Sequence, residues 1–109
     1  MQRILNFING EYVAPVSNQY LEGYNPAIGA VYSEVPDSDE RDVNLAVKAA
    51  SEAFEVWSNY TQEQRSDILL KIAQGIESRM EEFAIAETND QGKPLWLSKV
   101  MDIPRAVSN

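Results

Sequence analysis

Apolar residues recur at intervals of three and four along Val43, Ala46, Val47, Ala50, Ala53, Phe54 and Trp57. That spacing predicts an amphipathic helix, with Asp37 and Ser38 as candidate N-cap oxygens and Asp39 and Glu40 as first-turn charge. Asn59-Tyr60 breaks the pattern. Thr61-Gln62-Glu63-Gln64 then reads as a capping box, and Ile68, Leu69, Ile72, Ala73, Ile76 and Met80 predict the apolar face of a second helix. Gly75 inside that helix costs about 1 kcal/mol against alanine and is read as a close crossing. A third helix is expected from about Glu81 to Gln91, stopped by a left-handed Gly92 and by Pro94. Pro94 suits the first position of a fourth helix carrying Leu95, Leu97, Val100 and Met101, which Pro104 interrupts or restarts.

Upstream the period changes from 3.6 to 2. Arg3 to Ile8 alternates into Asn9-Gly10, and Glu11 to Ala14 follows, the pattern of a tight hairpin. Tyr20–Tyr24 and Ala30–Val35 predict a second strand pair across Asn25-Pro26-Ala27-Ile28-Gly29. That loop suits a type I turn leaving through a left-handed glycine. Pro36 has no N–H to give a ladder, so it closes the region. The expected class is therefore α+β. Residues 1–36 form a β-hairpin region, and residues 37–109 form a helical region of three to four amphipathic helices.

Composition narrows the functions open to the chain. At 109 residues and 44% hydrophobic it is the size of one domain. A net charge of −8 disfavours nucleic acid and anionic membrane, both of which select basic surface. With no long apolar run and no charged-then-apolar leader, the expectation is a soluble, untargeted, cytoplasmic protein. Cysteine and histidine are both absent, which removes the thiol nucleophile, the thiolate metal site and the commonest general base.

Among candidate sites, Gly92-Lys93 is not a phosphate loop. Glu87 stands where the first glycine belongs, and Pro94 replaces the magnesium-binding hydroxyl. No G-x-G-x-x-G occurs. Trp57 and Trp96 occupy apolar helical positions and read as packing residues. Glu87 and Asp90 place two carboxylates in the last turn of a helix, where each costs roughly 0.3–1 kcal/mol against the macrodipole. A positive group is expected nearby, and a surface bridge from Asp90 to Lys93 is the simplest partner. The competing reading has Asp90 and nearby backbone carbonyls holding a hard cation.

Several segments, in order and at matching spacing, resemble the N-terminal part of the aldehyde dehydrogenase superfamily. They are Asn6-Phe7-Ile8-Asn9-Gly10-Glu11, Asn25-Pro26-Ala27-Ile28-Gly29, Asp42-Val43 with Ala46 to Ala50, Phe54 to Trp57, Arg65, and Glu87-x-x-Asp90-x-Gly92-Lys93-Pro94. Asp90 to Lys93 followed by Met101-Asp102-Ile103-Pro104-Arg105 resembles the 2-aminomuconic or hydroxymuconic semialdehyde branch. The resemblance implies a longer α/β enzyme in which these residues belong to the coenzyme-binding domain. It implies oxidation of an aldehyde to an acid by cysteine attack, hydride transfer to NAD or NADP, and thioester hydrolysis. None of the residues for those steps is expected among these 109. A monovalent cation, potassium or sodium, is implied at Asp90 with the carbonyls of Gly23 and Tyr24.

The apolar pattern at Ile103, Ala106 and Val107 stops at Asn109 without a cap, so a truncated chain is expected. Such a chain would be inactive alone, and its uncovered helix faces predict homo-oligomers. The alternative is a stand-alone acidic helical interaction or regulatory module built on the same scaffold.

Overall fold

Two glycine-marked turns organise the β part of the computed structural model, which describes all 109 residues. Asn9 and Gly10 have φ of 54° and 80°. A two-residue hairpin loop demands positive φ at both positions, because that twist matches the flanking strands. The turn joins β2 (Asn6–Ile8) to β3 (Glu11–Val13), with Phe7 opposite Tyr12 and their rings 5.0 Å apart. Gly29, at φ 65°, closes the loop between β4 (Tyr20–Asn25) and β5 (Ala30–Pro36). The Asn25 carbonyl accepts from the amides of Ile28 at 3.3 Å and Gly29 at 2.9 Å. The Asn25 side chain also caps Ala27 N–H at 3.0 Å.

The single strand expected from Arg3 to Ile8 is split in two. Gln2–Arg3 forms β1, which pairs in parallel with β5, Gln2 opposite Ser33 and Arg3 opposite Glu34. An ion pair at 2.7 Å joins Arg3 to Glu34, and the guanidinium stacks 4.5 Å over the Tyr20 ring. One further amide, Ile4, donates to the Glu34 carbonyl at 2.8 Å before the chain leaves for the hairpin. The three-stranded sheet has the order β1-β5-β4. Gly23 in β4 lies against the buried Ser33 of β5, and a Cβ there would collide with Ser33 Oγ.

Helix α1 (Glu40–Trp57) begins two residues later than an Asp37 cap predicts and one later than a Ser38 cap predicts. Asp39 is the N-cap: its side chain accepts from Arg41 N–H, while the Asp42 carboxylate reaches back to Asp39 N–H at 2.9 Å. Ser38 is occupied elsewhere, bonded to Asn6. The Arg41 guanidinium, donating to Asp39, holds that carboxyl below the usual carboxylate range. Asp42 is buried, because its second oxygen accepts from Val16 N–H at 2.9 Å and ties the loop after β3 to the helix.

Thr61 and Gln64 form the expected reciprocal capping box of α2 (Gln62–Ser78), at 3.1 and 2.9 Å. Helix α3 (Met80–Gln91) follows after Arg79 and ends at Gly92, whose φ of 72° is left-handed as expected. Pro94 is the N-cap rather than the first helical residue of α4 (Leu95–Leu97), one position from its expected place. A five-residue π-turn, Ser98–Asp102, then runs into α5 (Ile103–Ser108), with Pro104 in the first turn of α5.

The chain divides into two compact units. The first holds residues 1–24 and 31–59, the second residues 25–30 and 60–109. In the first, α1 packs on β2. In the second, α5 packs on α2, and α3 packs on the π-turn. The expected close crossing at Gly75 is not there, since a Cβ at that position would meet nothing within 4 Å. The apolar stripes are present but mostly uncovered. Val43, Val47 and Phe54 of α1 and Leu69 and Ile72 of α2 are all more than half exposed. The buried aliphatic side chains are Ala84 and Ile103.

Candidate functional site

The end of α3 is where the sequence places its most distinctive residues, and the structure gives that end a dense set of polar contacts. Gly92 stops the helix with its N–H on the Thr88 carbonyl at 2.8 Å. It also touches the turn of residues 25–30. A Cβ on Gly92 would lie 2.8 Å from Pro26 Cγ and 3.3 Å from Ala27 N. The two motifs thus meet at one contact, and only glycine satisfies both its angle and its space.

The positive group expected near this turn is Lys93. Its ammonium lies 3.0 Å from Glu87 Oε1 and 2.9 Å from Asp102 Oδ2, with the side chain three-quarters covered. Hydrogen bonds to Asp102 and then Glu87 raise its pKa further above the ordinary lysine value. Glu87, the other carboxylate of that last turn, and Asp102 thus hold Lys93 between them. Asp102, nine residues on, was not visible as a partner, because the π-turn that aims it has no local signature. Two more ties join α3 to the same turn. Thr88 Oγ1 and Ser98 Oγ are 2.9 Å apart, and Lys99 Nζ lies 2.6 Å from Glu81 Oε2.

The residues proposed for a cation fall in both units. Asp90, on the exposed side of the last turn of α3, belongs to the second. Its Oδ2 accepts from Gln91 Nε2 at 3.1 Å. Gly23 and Tyr24 belong to β4 and the first unit. The Tyr24 hydroxyl donates to Glu22 at 2.6 Å, which raises its pKa, and the side chain is 53% exposed. No compact unit holds all three residues. No group of three or more His, Cys, Asp or Glu side chains is arranged to hold a metal ion. A carboxylate with main-chain carbonyls remains a chemically suitable donor set for a hard monovalent ion, which takes oxygen ligands.

The glycine-rich strand-to-helix turn that cradles a pyrophosphate is not among the turns of these 109 residues. The glycines at positive φ are Gly10, Gly29 and Gly92, placed in a hairpin, a strand-to-strand turn and a helix end. None opens a helix after a strand, where a pyrophosphate would need it. Asp42 is the buried polar residue whose role sequence reasoning missed. The Asp39-x-x-Asp42 spacing, a variant of the capping box, was the available signal.

The model of the aldehyde dehydrogenase family matches residues 12–109. The chain belongs to that family. Human 2-aminomuconic semialdehyde dehydrogenase is 47% identical over 104 residues, 95% of this chain and 21% of that protein. A long-chain-aldehyde dehydrogenase from Acinetobacter is 39% identical over the same share of each. Among solved structures, the NAD+ complex of an aldehyde dehydrogenase from Bacillus cereus superposes with a TM-score of 0.92 at 39% identity. That match covers 96% of this chain and 22% of the other. The chain thus spans about a fifth of the length of the family members it matches. The α+β reading and the resemblance drawn from the motifs both hold. No helix is long and apolar enough to cross a membrane.

Proposed function

We propose that these 109 residues form the N-terminal portion of the coenzyme-binding domain of an NAD- or NADP-dependent aldehyde dehydrogenase. The observation that carries this is the family match over residues 12–109, at a fifth of the relatives' length. The proposed reaction converts an aldehyde, most simply a semialdehyde as in the 47% identical human relative, to a carboxylic acid. The nicotinamide cofactor would take the hydride. This chain supplies neither the nucleophile nor the cofactor cradle, so its own residues act as scaffold. The ladder of β1, β5 and β4 and the clamp on α3 hold the turns that a larger sheet would build upon.

The test is direct. A protein carrying this sequence at its N-terminus and extending to the relatives' length should reduce NAD+ or NADP+ when given an aldehyde. The 109-residue chain alone should show none, since loss of a nucleophile alone costs about 10⁶ in turnover in a hydrolase. Turnover by the short chain, or none by the long one across semialdehydes and aliphatic aldehydes, would overturn the proposal. Uncovered faces on α1 and α2 support homo-oligomers, because large exposed apolar patches mark interfaces. Light scattering on the short chain should give a mass above 12.3 kDa. A clean monomer at high concentration would remove this part. The lack of a nucleic-acid partner rests on the acidic charge of −8.

A potassium or sodium ion at Asp90, with the carbonyls of Gly23 and Tyr24, completes the proposal. It accounts for a carboxylate kept at the negative end of a helix. In the full-length protein, potassium should raise the melting temperature, and Asp90→Ala should abolish that rise. An equal rise in the variant would end the idea.

A further inference from the structure

Ser98 and Ile103 are both buried although five residues apart in one continuous helical run from Leu95 to Ser108. A regular α-helix turns residues five apart by about 140°, which points them at different neighbours. Here the Ile103 N–H donates to the Ser98 carbonyl, a five-residue span that stacks one over the other. The stacking serves two packings at once. Ser98 Oγ meets Thr88 Oγ1 of α3, and α5, which begins at Ile103, packs on α2. The surplus residue is displaced outward, where Val100 is 61% and Met101 58% exposed. Two ion pairs from the same turn, Lys99–Glu81 and Asp102–Lys93, fix its orientation on α3. Pro104 follows directly. It has no N–H, and in a tight α-turn its ring would press on the carbonyl four residues back. A widened turn just before it removes that clash.

We propose that Ser98–Asp102 is a one-residue insertion acting as a register device. It turns the last helix so that its first half faces α3 and its second half faces α2, and Pro104 keeps the turn wide. The device makes an unusual expectation about deletions. Removing Val100 shortens the span from Ser98 to Ile103 to four residues, so an ordinary α-turn would again stack them. The single obstacle would then be Pro104, left inside a tight helix.

The experiment compares melting temperatures of four variants of the intact protein by circular dichroism. Deletion of Val100 should lower the midpoint by several degrees. Deletion of Val100 combined with Pro104→Ala should recover most of the loss. Deletion of Gln74, an exposed position in the regular α2, should be far more damaging, because every later residue of that helix rotates by about 100°. Adding Pro104→Ala to the Gln74 deletion should restore nothing. The proposal fails if the Val100 double variant is no more stable than the Gln74 double variant, or does not fold. It also fails if deletion of Val100 alone has no effect, since Pro104 would then not need the wide turn.

Discussion

Replacing Gly92 with alanine is expected to destabilise the second unit by about 2–5 kcal/mol, the sum of a left-handed strain and an overpacking cost. The strain arises because φ is 72° and ψ 5°, a region L-residues occupy at a penalty. The overpacking arises because the new Cβ would lie 2.8 Å from Pro26 Cγ, and a proline ring has no flexible end to move aside. Gly29 separates the two causes. Its φ is 65°, but a Cβ there meets nothing within 4 Å. Gly29→Ala should therefore cost only the strain, about 1–2 kcal/mol. Urea unfolding of both variants measures the difference. Equal losses would show that the contact with Pro26 is not what demands glycine at position 92.

The second large effect is expected at Asp42. Its carboxylate accepts from Val16 N–H and from Asp39 N–H, both at 2.9 Å, and the residue is 4% exposed. Truncation to alanine leaves two main-chain donors without their partner, at about 1–3 kcal/mol each when water cannot replace it. The expected total for Asp42→Ala is about 2–6 kcal/mol. Asp42→Asn should recover only part of this, because one of its two polar atoms becomes a donor facing a donor. Arg41→Ala is the contrast. It removes an ion pair to Asp39 that is well exposed on both sides and screened by solvent, so its loss should be small beside that at Asp42. If the Asp42 and Arg41 variants unfold at the same denaturant concentration, the buried carboxylate is not a structural keystone of the first unit.

Local chemistry explains which elements were legible in the chain. Asn9-Gly10 and Gly29 announce their turns because positive φ is a property of the residues themselves. Thr61 with Gln64 and Gly92 with Pro94 mark helix ends for the same reason. Asp37 and Ser38 misled because three neighbouring residues carry equally good capping oxygens. Which one caps is decided by Asn6, which binds Ser38, and by Asp42, which closes back on Asp39. The site was legible as a set of residue types around Gly92. Its pairing was not. Lys93 reaches Asp102 across a turn whose five-residue span no α-periodicity encodes.

The sequence by itself determined the α+β class, the main helices, the glycine-marked turns and the family, since each rests on residues close together in the chain or on motif order. Tertiary structure alone decided which apolar stripes are covered. Val43, Val47 and Phe54 share one helical face by spacing, yet that face lies open in these 109 residues. Spacing states which side of a helix is apolar, and only a neighbour in space makes that side a core. The π-turn is the same lesson at finer scale. Its register follows from Ser98 meeting Thr88 and Ile103 being buried at the same time, a condition imposed by two partners and carried by neither residue alone.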